Sequence, residues 1–117
     1  MIPLSLFWII QLRQAAGAVA HMHDLEIIHG DVKANNILMT ANGRVFICDF
    51  GLAQISELQG VPGAYSSAGC GNPRWASPEL LKGSERTFES DIWAFGMTIY
   101  QVMSYVILVN RSHNGGT

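Results

Sequence analysis

Residues 92 to 109 read IWAFGMTIYQVMSYVILV and contain no Asp, Glu, Lys or Arg. That run constrains the fold more than any other stretch, because so long an uncharged segment must be covered by something other than water. It is just long enough to span a bilayer. A helix apolar on all sides can equally be the buried central helix of a larger domain. Ser90-Asp91 stand directly before the run and are read as its cap. The residues upstream have to decide between the two readings. A second apolar run, IPLSLFWII followed by AVA at 18–20, imitates an export signal. It lacks a basic segment in front, and Arg13 follows it closely, so it is read as part of a helix instead.

The expected organisation is helix, small hairpins, long loop, helix. From about Leu6 to Asp24 the apolar positions keep three-to-four spacing around an Ala-rich middle, which predicts a helix. Glu26 to Ile28 is a short strand candidate. Ile37-Leu38-Met39 and Arg44 to Cys48 predict a hairpin closed by Asn42-Gly43, a dipeptide suited to a tight primed turn. Gly51 to Trp75 carries Gly, Ser and Pro without periodicity and predicts a long loop, of the kind that is usually functional or mobile. Ser77-Pro78-Glu79 opens a short helix with Pro near its first turn.

With 117 residues the chain holds one domain, and folding removes roughly two thirds of its unfolded surface from water. Its net charge is −2, and the basic residues are scattered. No basic footprint marks nucleic acid as a partner, and an anionic membrane is equally unfavoured. Cys48 and Cys70 are too few and wrongly spaced for a disulfide framework or a CxxC site, so they read as free thiols in a reducing, cytoplasmic setting.

Between the helices lies HGDVKANNILMTANGRVFICDFG, residues 29 to 51. Each motif alone says little. DFG can be a turn with a capping Asp, and HxDxxxxN can be a loop whose Asp and Asn bond local backbone. A lone His29 is usually a hydrogen-bonded structural residue. Order and spacing change the reading. HGDVKANN, the Asn-Gly hairpin, DFG, a Gly/Ser-rich loop, GNPRWASPE and SDIWAFG follow one another. In that order the chain resembles the protein kinase superfamily over about residues 8 to 104: catalytic loop, metal-binding DFG, activation segment, Ala-Pro-Glu-type motif and start of the large lobe's central helix.

The resemblance implies an α+β fold, a mainly helical partial C-terminal lobe with short β-hairpins and an activation loop. It also implies transfer of the ATP γ-phosphoryl group to a protein hydroxyl, a reaction that asks for positioning and charge neutralisation. Asp31 would receive the substrate hydroxyl's hydrogen bond, and Lys33 would neutralise charge on the transferred group. Asn36 and Asp49 would hold Mg²⁺ through hard oxygen donors. Leu38 would lie under the adenine of ATP. His29 and Phe50 would belong to the packed spine behind the site, Gly51 would complete DFG, and Asp91 would anchor the catalytic-loop backbone. Ser66 and Ser67, with Tyr65, are candidate phosphorylation sites on the activation loop, and Glu79 is the acid of the Ala-Pro-Glu-type motif.

Several positions depart from the family pattern. Gly30 stands where many kinases have Arg, the residue that pairs with an activation-loop phosphate, so activity of a complete version is expected not to depend strongly on that phosphate. Asn72 replaces a usual Thr, which puts its contact with Asp31 and Lys33 in question. Ser77-Pro78-Glu79 replaces Ala-Pro-Glu, and Glu26 takes a place where Gly is frequent. Lys33 follows the Ser/Thr-kinase pattern. PRW and the wording HGDVKANNIL resemble fungal members of the tyrosine-kinase-like group.

By the same resemblance residues 91 to about 104 match a buried central helix, so a membrane span is not expected. The tail 105 to 117 leaves the family pattern. The Gly-rich phosphate loop, its strand Lys and the partner Glu of the N-terminal lobe are missing from these residues. The chain is therefore expected to be a part of a protein kinase, nearly inactive alone. Uncovered apolar faces would invite a protein partner. The alternative is a pseudokinase-like binding module, and a small membrane-associated protein is the third reading.

Overall fold

The computed structural model describes residues 2–59 and 72–115. Tyr65, Ser66, Ser67 and Cys70, singled out above, lie outside the described residues. Helix α1 (Leu4–Asp24) is followed by strand β1 (Ile27–Ile28), a 3₁₀ turn at Ala34–Asn36, and strands β2 (Ile37–Met39), β3 (Val45–Ile47) and β4 (Gln54–Ile55). A second 3₁₀ turn spans Ser56–Leu58, and helices α2 (Pro78–Leu81) and α3 (Phe88–Asn114) complete the order. The fold is α+β, with two small antiparallel sheets beside two long helices among the described residues.

Helix α1 starts at Leu4, behind Pro3, and buries Gln11, Ala15, Val19 and Met22 along one stripe. It ends because Glu26 adopts φ 62°, the left-handed conformation that commonly closes a helix just past its cap and usually falls to Gly. The chain then turns into β1. The expectation of an unstructured loop from Gly51 to Trp75 is corrected here: β4 pairs antiparallel with β1, Ile27 opposite Ile55 and Ile28 opposite Gln54. Two residues are too short to carry a period, so only the partner strand makes this segment a strand.

Strands β2 and β3 form the expected hairpin, with Ile37 opposite Ile47, Leu38 opposite Phe46 and Met39 opposite Val45. Ile37, Val45 and Ile47 pack toward the core, while Leu38, Met39 and Phe46 stay exposed. The turn is not the expected primed one. Gly43 alone of Asn42-Gly43 has positive φ, at 82°, and its N–H donates to the Thr40 carbonyl at 3.0 Å. A three-residue connection ending in a left-handed Gly is the next commonest hairpin solution. The Gln14 side chain donates to the Gly43 carbonyl at 2.9 Å and ties the turn to α1.

The core joins Ala15, Val19 and Met22 of α1 to Val32, Ala94 and Phe95, with Ile27, Ile37, Val45, Ile47 and Trp75 around it. The N-cap of α3 is Thr87, which corrects the assignment to Ser90-Asp91. The Thr87 hydroxyl accepts from the Ser90 N–H at 3.1 Å, and the Ser90 hydroxyl accepts from the Thr87 N–H at 2.8 Å. This reciprocal box satisfies two donors at once. The helix runs well past Ser104, to Asn114. Its buried residues are Ser90, Asp91, Ala94, Phe95, Thr98 and Val106. The helix is buried mainly at its start, and Ile92, Tyr100, Tyr105, Ile107 and Leu108 are each more than half exposed.

Candidate active site

The loop between β1 and the first 3₁₀ turn is held from behind by Asp91. This carboxylate is 1% exposed, yet its oxygens have three donors: the His29 N–H at 2.8 Å, the Gly30 N–H at 2.9 Å and His23 Nε2 at 2.9 Å. A buried carboxylate is tolerable only when its lone pairs are met in this way. Because α3 is anchored on the core, the bonds fix the loop backbone relative to both helices.

His29, fully buried, carries the order one residue further. Its Nδ1 accepts from the Asp31 N–H at 3.1 Å. That requires the Nε2–H tautomer, and Nε2 then donates to the Cys48 carbonyl at 2.9 Å. One imidazole therefore joins the residue that precedes DFG to the backbone of Asp31. The Phe50 ring stands edge-on to it, with centroids 5.0 Å apart. Phe50 is itself 49% exposed, so it is packed on one side only rather than enclosed in a spine.

Around Asp31 the side chains converge. The 3₁₀ turn Ala34–Asn36 brings Asn36 back so that its Nδ2 donates to the Asp31 carbonyl at 2.8 Å and to Asp31 Oδ2 at 3.1 Å. Lys33 Nζ lies 3.8 Å from Asp31 Oδ1. One carboxylate oxygen thus faces an amide and the other an ammonium, and both side chains keep some solvent contact. Asn36 is buried, and its carbonyl accepts from the Cys48 N–H at 2.8 Å, a second link between the loop and the start of DFG.

Asp49 adopts φ 61°, which costs a non-Gly residue on the order of 1–3 kcal/mol and is often found at functional sites. Its Oδ1 accepts from the Gly51 N–H at 3.3 Å, a long bond, and the residue is exposed. Asn36 Nδ2 is committed to Asp31, which leaves its amide oxygen as a hard donor, and the Asp49 carboxylate on the DFG turn is another. No group of three or more His, Cys, Asp or Glu residues could hold a metal among the described residues. An amide and a carboxylate, completed by phosphate oxygens and water, suit Mg²⁺, which seldom uses an all-protein cage.

The structure does not bring every candidate to this cluster. Leu38 lies on the outer face of β2, 53% exposed. Glu79 sits in the first turn of α2, where the nearby Ser77 hydroxyl and the turn's backbone N–H hold its carboxyl below the ordinary carboxylate range. Neither bonds to Asp31, Lys33 or Asn36 among the described residues. Asn72 uses its side-chain oxygen on the Arg74 N–H at 3.1 Å, inside its own turn, and not on Asp31 or Lys33. Two contributors were not read from the sequence as part of the site. His23 had a weak signal, a polar residue at the end of an amphipathic helix. Arg86, considered below, had none.

The description "Protein kinase domain" fits this chain over residues 10–116. The chain is 36% identical over 86 residues to Probable serine/threonine-protein kinase mkcF of Dictyostelium discoideum, covering 74% of the chain and 12% of that relative. It is 34% identical over 113 residues to NUAK family SNF1-like kinase 2 of Homo sapiens, covering 88% and 17%. It is 36% identical over 98 residues to 3-phosphoinositide-dependent protein kinase 1 of Arabidopsis thaliana, covering 78% and 20%. The chain belongs to the protein kinase domain family. It spans a fifth or less of the length of these three relatives.

Proposed function

We propose that this chain supplies the catalytic and metal-binding loops of a protein kinase that transfers the ATP γ-phosphoryl group to Ser or Thr hydroxyls of proteins. The observation that carries the reading is the Asp31 carboxylate, held between Asn36 and Lys33 on a loop clamped to Asp91. In that position Asp31 accepts the substrate hydroxyl's hydrogen bond and aims its oxygen. Lys33 neutralises charge on the transferred group, the usual need of phosphoryl transfer. Asn36 and Asp49 would hold Mg²⁺, which when bound neutralises phosphate charge. Leu38, exposed on β2, offers an apolar surface to the adenine. Lys33 and the PRW segment favour a Ser/Thr kinase of the tyrosine-kinase-like group, acting in the cytoplasm. Gly30 in place of Arg favours activity independent of an activation-loop phosphate at Ser66 or Ser67. Alone, the 117-residue chain is expected to be nearly inactive, since it brings no Gly-rich loop over ATP.

The test uses the longest native polypeptide that contains this sequence, identified by intact mass, beside the chain itself. Asp31→Asn in the long form should lower kcat by roughly a hundredfold or more while leaving ATP binding nearly intact. Equal turnover by Asp31→Asn and the parent would sink the proposal, and so would ordinary kinase rates from the isolated chain, for its inactivity. A native product of the chain's own mass would favour the second reading, a binding module without catalysis. The exposed side chains of α3 are what that reading rests on.

A further inference from the structure

Gly30 is enclosed on several sides. Its φ is 84°, and its N–H is fixed to Asp91 Oδ1. A Cβ built on it would lie 2.8 Å from the Leu52 carbonyl oxygen, 2.9 Å from Arg86 Cδ and 3.4 Å from Arg86 Nε. Arg86 comes from the segment just ahead of the α3 cap, and it is only 6% exposed although Arg is seldom buried. Its own carbonyl accepts a hydrogen bond from Gln59 Nε2, which ties it to the chain that follows β4. The aliphatic stem of an Arg can cover apolar backbone in this manner.

A glycine has the widest backbone freedom of any residue. The angle at which the chain passes from His29 to Asp31 is therefore not set by Gly30 itself and has to be imposed from outside. Asp91 grips the N–H on one side. We infer that Arg86 is a positioning residue of the catalytic loop: its stem closes over Gly30 and holds the peptide that carries Asp31 where Asn36 and Lys33 reach its carboxylate. The inference rests on the reading of Asp31 as the catalytic aspartate. Arg86 touches neither substrate nor reacting atoms in this role; it acts through Gly30. A side chain at 30 is excluded by the Leu52 carbonyl and by the Arg86 stem together.

Amide hydrogen exchange, resolved residue by residue in the full chain, tests this without requiring turnover. Arg86→Ala should speed exchange at the Gly30 and Asp31 amides by about tenfold or more, with Val19 in α1 changed little. Arg86→Met and Arg86→Lys keep a long stem and should restore protection at both amides. Unchanged exchange at 30 and 31 in Arg86→Ala would overturn the inference, as would a uniform loss of protection that included Val19. If Arg86→Ala does not fold, Arg86→Met decides alone: native protection at 30 and 31 supports the stem, and selective loss there overturns it. A negative result would leave the Asp31→Asn assay and the proposed phosphoryl transfer standing. Failure of that assay would leave the exchange result standing as a fact about the loop.

Discussion

Asp91 and Glu26 represent two kinds of residue-level constraint. Asp91 is a buried charge whose three donors come from His23 of α1 and the His29–Gly30 backbone. Asp91→Asn keeps the shape but turns an N–H₂ toward groups that themselves donate, so at least one bond is lost and one donor is left unmet. The expected loss is about 2–3 kcal/mol, seen as a lower urea midpoint with little change in slope. Glu26 instead holds a left-handed conformation that costs a side-chain-bearing residue about 1–2 kcal/mol. It regains part of that through the Ser56 hydroxyl, which donates to Glu26 Oε2 at 2.6 Å. Glu26→Gly should raise the thermal midpoint modestly, and more clearly in a Ser56→Ala background, where the hydrogen bond is already gone. A fall in midpoint in that background would show that the turn is not strained. Asp49 shares the same backbone region, but at a residue read as a metal donor, so its strain belongs to the site.

Among the elements, α3 separates what is local from what is not. Thr87, Ser90 and Asp91 are all good capping residues within one turn, and the sequence does not rank them. The reciprocal Thr87–Ser90 bonds select Thr87, and Asp91 is left to serve the loop. Thr87→Ala should cost about 1 kcal/mol and Thr87→Ser much less, measured by chemical denaturation. The β2–β3 hairpin was legible because Ile37, Val45 and Ile47 keep the period of two. Its turn geometry was not, because Asn42-Gly43 serves more than one connection and the bond from Gln14 helps choose. Strand β4 carries no signal of its own and exists through Ile27 and Ile28. Asp31, Lys33 and Asn36 were legible through the resemblance to the kinase pattern, while the contacts of His23 and Arg86 depend on residues far along the chain.

For the molecule as a whole, the dominant fact is how little of α3 is covered. The helix is long and apolar enough to cross a membrane, and only 17% of its most apolar window is buried. Beside it an open apolar groove of about 440 Å³ is lined in part by Trp8, Leu12, Met39, Val102 and Tyr105. Surfaces of this kind drive association. The chain should self-associate in a concentration-dependent way in sedimentation experiments, and Tyr100→Glu with Leu108→Glu should shift it toward monomer. Because the start of α3 is anchored to the His29–Gly30 backbone through Asp91, alkaline extraction should release the chain from membranes; retention in the pellet would restore the membrane reading.

By itself the sequence determined the order and type of the long elements and the hairpin, and its resemblance to the kinase pattern pointed to the residues of the candidate site. Periodicity, turn chemistry and motif spacing all act over a few neighbouring residues. Only the tertiary structure decided which polar groups meet across that framework. Asp91 grips His29 from 62 residues away, β4 becomes a strand against β1, and Arg86 closes over Gly30. Those contacts have no local signature, because a buried carboxylate or a glycine without a side chain is stable only where packing brings the complementary groups to it.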